Sequence, residues 1–440
     1  VTIRARRFAG RLFGALLPLA LLAACGGEDV ILPGERLDLR EDRVTAQAQV
    51  DRALPISLPA ALMRDAWTHR ASDAAHDIPH AALSPLPRPI FSVPIGQGEN
   101  RRHRISADPV VADGRVFTVD SRARVTAHGT DGRTLWSVDL TPPGDPGDAS
   151  GAGLAVEGGR LFVSTAFGDL VALDPATGRR FWAQDLGAAA AGAPTVSGGI
   201  VYVVARDATA WAIDVANGRV RWTEQGTPSL NGVVGGAAPA ISGEMIVLPF
   251  ASRELAGVLR QGGTRLWTAN VAGTRLGEVY ATIGDISGDP VIEGGRVYAG
   301  NPSGRTAAFD LRSGEQIWSA RDGAMSPVLV AGGSVFSVSD QAELLRLDAA
   351  TGERIWGTEL PYLVPSRLSR RRGVVTHYGP ILAGGRLWVA SGDGRLRAFS
   401  PQSGALLAEI ELPGGAATNP VVAGGALYVV SQDGQLLAFR

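Results

Sequence analysis

A phrase of about thirty residues that keeps returning is the feature that most limits what this chain can fold into. Its cleanest copy runs from Pro290 to Trp318 as four short apolar runs separated by three turn signals: Gly294-Gly295, Pro302-Ser303-Gly304 and Asp310-Leu311-Arg312-Ser313-Gly314. Each run holds about 4 to 6 residues, the length of a strand and too short for a helix. Glycine supplies the positive φ of such tight turns, and an Asp carboxylate bonds back to the turn's own backbone. One copy therefore predicts a four-stranded antiparallel meander that ends on a tryptophan.

Trp136, Trp182, Trp222, Trp267, Trp318 and Trp356 each close a copy, and prolines open the first strands at Pro109, Pro194, Pro239, Pro290, Pro327, Pro380 and Pro420. A missing N–H is least costly there, at the start of an edge strand. Eight copies are counted, the fourth, around Gly243-Glu244, being the least regular. Four-stranded units recurring every 40 to 50 residues or so predict an all-β chain, an eight-bladed β-propeller of four-stranded antiparallel blades. Sheets covered on both faces explain apolar runs that are continuous instead of alternating. The eighth copy has three strands and no Trp, while an orphan run, Ile90-Phe91-Ser92-Val93-Pro94-Ile95-Gly96, has the look of a last strand. That N-terminal strand is expected to complete the last blade, with Phe91 standing where other copies carry Trp. Closure matters because an open ring leaves bare strand edges.

Length alone, 440 residues with 45% hydrophobic content, suggests about three ordinary domains. The repeats override that count, giving a propeller over 89–440. All 42 basic residues are Arg. The absence of Lys removes Schiff-base chemistry, Ser-Lys nucleophiles and the phosphate-loop lysine.

Residues 1–24 carry Arg4, Arg6, Arg7 and Arg11 ahead of an apolar run from Leu12 to Ala24, followed by Cys25. This is the pattern of a secretory signal, too short and wrongly flanked to span a membrane. Leu22-Ala23-Ala24-Cys25 fits a bacterial lipobox, so Cys25, the only cysteine, is the expected lipidation site. With Gly26 next, the expected address is the periplasmic face of the outer membrane. Removing residues 1–24 leaves 38 Arg against 43 acids, a net charge of −5 that gives nucleic-acid binding no support. With a single cysteine there is no intrachain disulfide.

Residues 25–88 are expected to form a lipidated tether, a separate region lying partly along the propeller surface, mixed in charge and rich in proline. His69, His76 and His80 lie close together in it, but their spacing matches no metal-ligand pattern. They are expected to be surface or hydrogen-bonded histidines, and no metal site is assigned. Asp285 with Asp289 lacks the 12-residue calcium-loop pattern and reads as turn chemistry.

In a propeller the blade-to-blade connections and the second-to-third strand turns emerge on one face. Three long connections, Trp222 to Pro239, Trp267 to Pro290 and Trp356 to Pro380, all belong there, and long loops on a rigid ring usually carry binding residues. The first holds Pro228-Ser229-Leu230-Asn231-Gly232-Val233-Val234, the second Tyr280 to Asp289, the third Arg370-Arg371-Arg372 followed by His377 and Tyr378. Apolar residues beside an acid and an arginine cluster suit a protein-binding surface. No nucleophile elbow, metal-spaced histidine cluster or phosphate loop is present.

Leu173-Asp174-Pro175-Ala176-Thr177-Gly178 with Trp182, and Leu347-Asp348-Ala349-Ala350-Thr351-Gly352 with Trp356, resemble the pyrroloquinoline-quinone-type propeller repeat. That resemblance covers residues 90–440 and is specific for fold more than function. It embraces quinoprotein alcohol dehydrogenases, which hold quinone and calcium, and the cofactor-free BamB lipoproteins of the outer-membrane β-barrel assembly machinery. The lipobox, the size and the lack of a vicinal cysteine pair favour the second. Pro228-Ser229-Leu230 and Gly284-Asp285-Ile286 are similar to the two BamB loops that contact the periplasmic domains of the barrel insertase BamA. Where the enteric pattern has Leu-Arg, this chain has Gly232-Val233-Val234, and Arg265 or Arg275 is the nearby substitute.

The resemblance implies a non-enzymatic scaffold without cofactor or metal, docking on BamA and aiding insertion of nascent outer-membrane proteins. Leu230, Val233 and Val234 are its expected apolar anchors, with Asp285 and Arg275 as charged contacts. The rival readings are a periplasmic quinoprotein dehydrogenase with the quinone in its central funnel, and a propeller binding another envelope partner or glycan.

Overall fold

Each repeat folds into the meander its turns dictate. The computed structural model describes residues 51–145, 149–229, 232, 235–273, 283–364 and 373–440. These hold eight four-stranded antiparallel sheets, seven in simple sequence order. In blade 1, Val110–Ala112, Arg115–Val119 and Arg124–Gly129 are buried along nearly their whole length, while the outermost strand, Thr134–Asp139, alternates exposed and half-buried residues. Blade 5 repeats this over Gly288–Glu293, Arg296–Asn301, Arg305–Asp310 and Gln316–Ala320. The least regular copy in sequence is a complete blade 4, ending in Thr264–Asn270.

Blade 8 closes the ring. Pro89–Pro94 pairs antiparallel with Gln435–Phe439, and Arg88 and Arg440 exchange backbone hydrogen bonds of 2.7 and 2.8 Å. Phe91 packs on Tyr428 within this blade, with ring centroids 6.4 Å apart.

The tryptophans join each blade to the next. Trp136, Trp182, Trp222, Trp267, Trp318 and Trp356 donate their indole N–H to carbonyls of Pro175, Val215, Arg260, Leu311, Ala349 and Pro401, one blade further on. The turn glycine of the next blade lies against the ring face: a Cβ on Gly178, already at φ +74°, would come 2.7 Å from Trp136 Cε3. Repeat glycine and repeat tryptophan are thus one contact read in two copies. The junction from blade 7 to blade 8 has Ala408 at the Trp position. The third and fourth strands of blade 8 are not joined in sequence, so no turn glycine stands there to receive an indole.

One expectation meets a different arrangement. The described part of the tether, from residue 51, falls in the same compact unit as the propeller, Val50–Arg440. Trp67, Ala71, Ile78 and Ala81 are buried, and Trp67 pairs with Val111 on the innermost strand of blade 1. Within the segment expected to lie partly along the propeller surface, the stretch from Trp67 to Ala81 thus enters the middle of the ring. Backbone edges of the innermost strands attract it, and they carry no side-chain signature that sequence inspection detects. His69, His76 and His80 are buried and hydrogen-bonded to backbone, and no metal-capable cluster of acids, His and Cys exists among the described residues. Cys25 lies outside the described residues.

Candidate partner-binding face

The two ends of the ring axis differ. At the end carrying the first-strand hairpins, residues 51–83 lie over the opening: Ile56 and Ser57 contact Gly332, Leu83 contacts Gly384, and the Arg64 carbonyl accepts from Gly424 N–H at 2.7 Å. At the other end the connections surround a funnel of about 580 Å³, whose lining includes Arg70, Arg104, Asp108, Met325, Tyr378 and Asn419.

The first long connection is fixed at its start. Thr227 N–H donates to Glu254 Oε2 at 3.0 Å, and Arg265 donates to Glu254 Oε1 at 2.8 Å, to Glu224 Oε1 at 2.7 Å and to the Gln225 carbonyl at 2.6 Å. Arg265 is thereby part of the loop's foundation. Leu230, Val233 and Val234 lie outside the described residues, as do Arg275 and Arg370-Arg371-Arg372.

Asp285, from the second connection, is described, and it is only 6% exposed. Its Oδ2 faces the first connection: a Cβ on Gly232 would stand 3.2 Å from it and 2.6 Å from Arg206 Nη1, and a Cβ on Gly236 3.7 Å from it. The carboxylate expected to meet a partner's cation is therefore directed at a neighbouring loop. The Arg206 guanidinium and the Asp285 carboxylate thus both converge on Gly232. Asp289 is farther in, wholly buried, accepting from Ala238 N–H at 3.0 Å and pairing with Arg70 at 3.3 Å.

An apolar rim on blades 5 to 7 was not legible as such. Met325, Tyr362, Leu363, Val364 and Val374 are exposed at the base of the third connection and the turn before blade 6. Val364 N–H donates to Gly373 O and Val375 N–H to Tyr362 O, which makes a short ribbon of the loop's two ends. Neighbouring valines at both ends of that loop were the available signal.

Chemistry of the catalytic kind finds little support. His377 Nδ1 lies 2.7 Å from Ser391 Oγ, and its Nε2 lies 2.9 Å from the Pro361 carbonyl. Ser391 is fully buried, and burial holds the His377 pKa below its ordinary value. Nor do the axial residues fit a calcium-assisted quinone, because the axial carboxylates of Asp108 and Asp289 are both engaged by the Arg70 guanidinium. A fixed cation stands between these two acids.

Comparison with known proteins agrees with this architecture. The family described as "Outer membrane protein assembly factor BamB" matches residues 121–358 and 366–440. Among relatives bearing that description, one from Salmonella typhimurium is 31% identical over 262 residues, 56% of this chain and 66% of its own length. One from Escherichia coli K12 is 32% identical over 251 residues, again 56% of this chain and 63% of its own length. The chain thus spans just under two thirds of these relatives. The crystal structure of BamB from Moraxella catarrhalis superimposes with a TM-score of 0.67 at 20% identity, covering 81% of this chain and 100% of that one. A computationally designed protein, Ika8, superimposes with a TM-score of 0.58 at 15% identity, over 79% of this chain and 99% of its own, and at such identities the likeness is one of fold.

Proposed function

This chain belongs to the family of outer membrane protein assembly factor BamB, and from that premise we propose that it is a non-enzymatic scaffold lipoprotein of the β-barrel assembly machinery. Lipidation at Cys25 anchors it to the periplasmic face of the outer membrane. Its connection face docks on the periplasmic domains of BamA and helps position nascent outer-membrane proteins.

One observation carries the reading. Asp285, Gly232 and Arg206 bring the first two long connections against each other on one face of a rigid ring, which presents a shaped surface instead of independent loops. Leu230, Val233 and Val234 supply apolar anchors and Arg275 a charged contact. Asp285 acts through the loop it faces. The engaged axial acids and the buried Ser391 favour a scaffold over a quinoprotein.

The test is binding of purified residues 25–440 to the periplasmic domains of BamA from the same organism. Leu230→Ala is expected to lower affinity by about 2 kcal/mol or more, as loss of a buried anchor does. Absence of binding by the unmodified protein at high micromolar concentration would overturn the reading.

A further inference from the structure

Eight innermost strands surround the axis, and each leaves backbone N–H and C=O groups without a sheet partner on its inner edge. Residues 67–81 bond to blades 1 to 5 in ring order and then to blade 7. Trp67 exchanges bonds of 2.8 and 2.7 Å with Val111 of blade 1, and the Thr68 carbonyl accepts from Val156 N–H of blade 2 at 2.9 Å. His69 Nε2 accepts from Val196 N–H of blade 3 at 3.1 Å. The carbonyls of Ala74 and Ala75 accept from Ile241 of blade 4 at 2.7 Å and Ile292 of blade 5 at 2.9 Å. Ala81 N–H then donates to Leu382 O of blade 7 at 3.0 Å. A gap of about 10 Å³ remains among Trp67, Arg70, Ile78 and the prolines of blades 6 to 8, while a cleft of about 580 Å³ is lined by Asp77, Ile78 and His80 on one side and Val330 and Ala331 of blade 6 on the other.

At the centre lies Arg70. Its Nη1 donates to the carbonyls of Gly235 and Gly236 at 2.9 and 2.7 Å, its Nε lies 3.5 Å from Asp108 Oδ2, and Nη1 lies 3.3 Å from Asp289 Oδ1. Asp108 precedes blade 1 and Asp289 opens blade 5, so one guanidinium ties opposite sides of an eight-bladed ring. The ring itself holds both acids in place: Asn419 donates its backbone and side-chain N–H groups to Asp108 at 2.8 and 2.7 Å, and Ala238 N–H donates to Asp289. A planar, forked cation suits two carboxylates on opposite sides better than a compact ammonium.

We infer that the axial channel is a binding site for an arginine-bearing polypeptide loop, with the arginine in a tight turn, and that its occupant is the chain's own residues 67–81, whose Arg70 lies in the turn closed by His69 and Ser72. Backbone edges read the peptide's main chain, and Asp108 with Asp289 reads its guanidinium. The site rests on no external partner and is independent of the docking proposed above.

The test uses the full chain with a protease recognition sequence inserted at exposed Ser84-Pro85-Leu86, between the occupant and the ring-closing strand. After cleavage the N-terminal fragment is expected to travel with the propeller through gel filtration, and Arg70→Ala to speed its release at least tenfold. Free separation of the fragment from the cut, otherwise unaltered protein would overturn the inference. So would release from the Arg70→Ala chain at an unchanged rate. In the uncut chain, Arg70→Ala lowers the unfolding midpoint, and adding Asp108→Asn with Asp289→Asn recovers most of that loss; failure to recover contradicts the pairing. Arg70→Lys is expected to hold the fragment less well than Arg70.

Discussion

The two ends of this ring are built from different kinds of sequence. One is closed by residues 51–83, a segment without periodicity that packs on backbone edges and hairpin glycines. The other is open and edged by long connections that differ from blade to blade, with Asp285, Gly232 and Arg206 meeting on it. The repeats between them are alike and make the ring. On the proposed function, function is thus separated from fold: the repeated residues hold blades together, the closed end secures the axis, and partner recognition is assigned to the irregular open end.

That division is easiest to break at the closed end. Trp67 is 2% exposed and wedged at the axis, so Trp67→Ala is expected to lower unfolding free energy by about 3 to 5 kcal/mol in a denaturant titration. Affinity of the remaining folded protein for BamA should fall by less than stability does, because Trp67 reaches the open end only through Arg70, whose Nη1 holds the Gly235 and Gly236 carbonyls. A loss of binding as large as the loss of stability would mean the ends are not separate.

The open end should respond in the opposite sense. Asp285→Arg puts a second cation beside Arg206 at Gly232 and is expected to weaken partner binding by about 2 kcal/mol or more, measured by calorimetry. Its circular dichroism should remain that of a β-propeller.

Acid gives a third probe. Burial, and then the neighbouring His76, push the His69 pKa down from 6.5 to about 3. The folded state keeps this imidazole neutral while the unfolded chain protonates it, so its contribution is present above pH 6.5 and is lost as pH falls toward 3. The slope is about 1.4 kcal/mol per pH unit within that window. His69→Gln should flatten the acid limb of the stability profile by that amount, as read from unfolding midpoints between pH 7 and 4. Smallest of all, Met63→Ser on the closed face and Met325→Ser on the open one, both exposed, should each change stability by less than about 0.5 kcal/mol.

The ring was legible because a repeat states one contact many times. Six tryptophans and their turn glycines announced the blade junctions, and Phe91 marked the closing strand. The axial occupant was not legible, since mixed charge and proline between residues 26 and 88 look the same in a solvated tether and in a segment bound through its backbone. One signal was nevertheless present: the residue before each first-strand proline lies near the axis, and in two copies, Asp108 and Asp289, it is an acid facing inward. A cation is the strongest partner for two buried acids, and with no Lys in the chain Arg is the always-charged side chain that can supply it. At the open end the sequence pointed to Asp285 but not to its orientation, because Arg206, from a blade 3 turn, and Gly232 meet it only once the ring is closed.

Hydrogen–deuterium exchange of residues 25–440, with and without the periplasmic domains of BamA, tests the division of the two ends most directly. Protection confined to the connections 226–239 and 271–289, with exchange over 53–66 unchanged, is the expected result. Protection over 53–66 with none in those connections would contradict it and place the partner on the closed end.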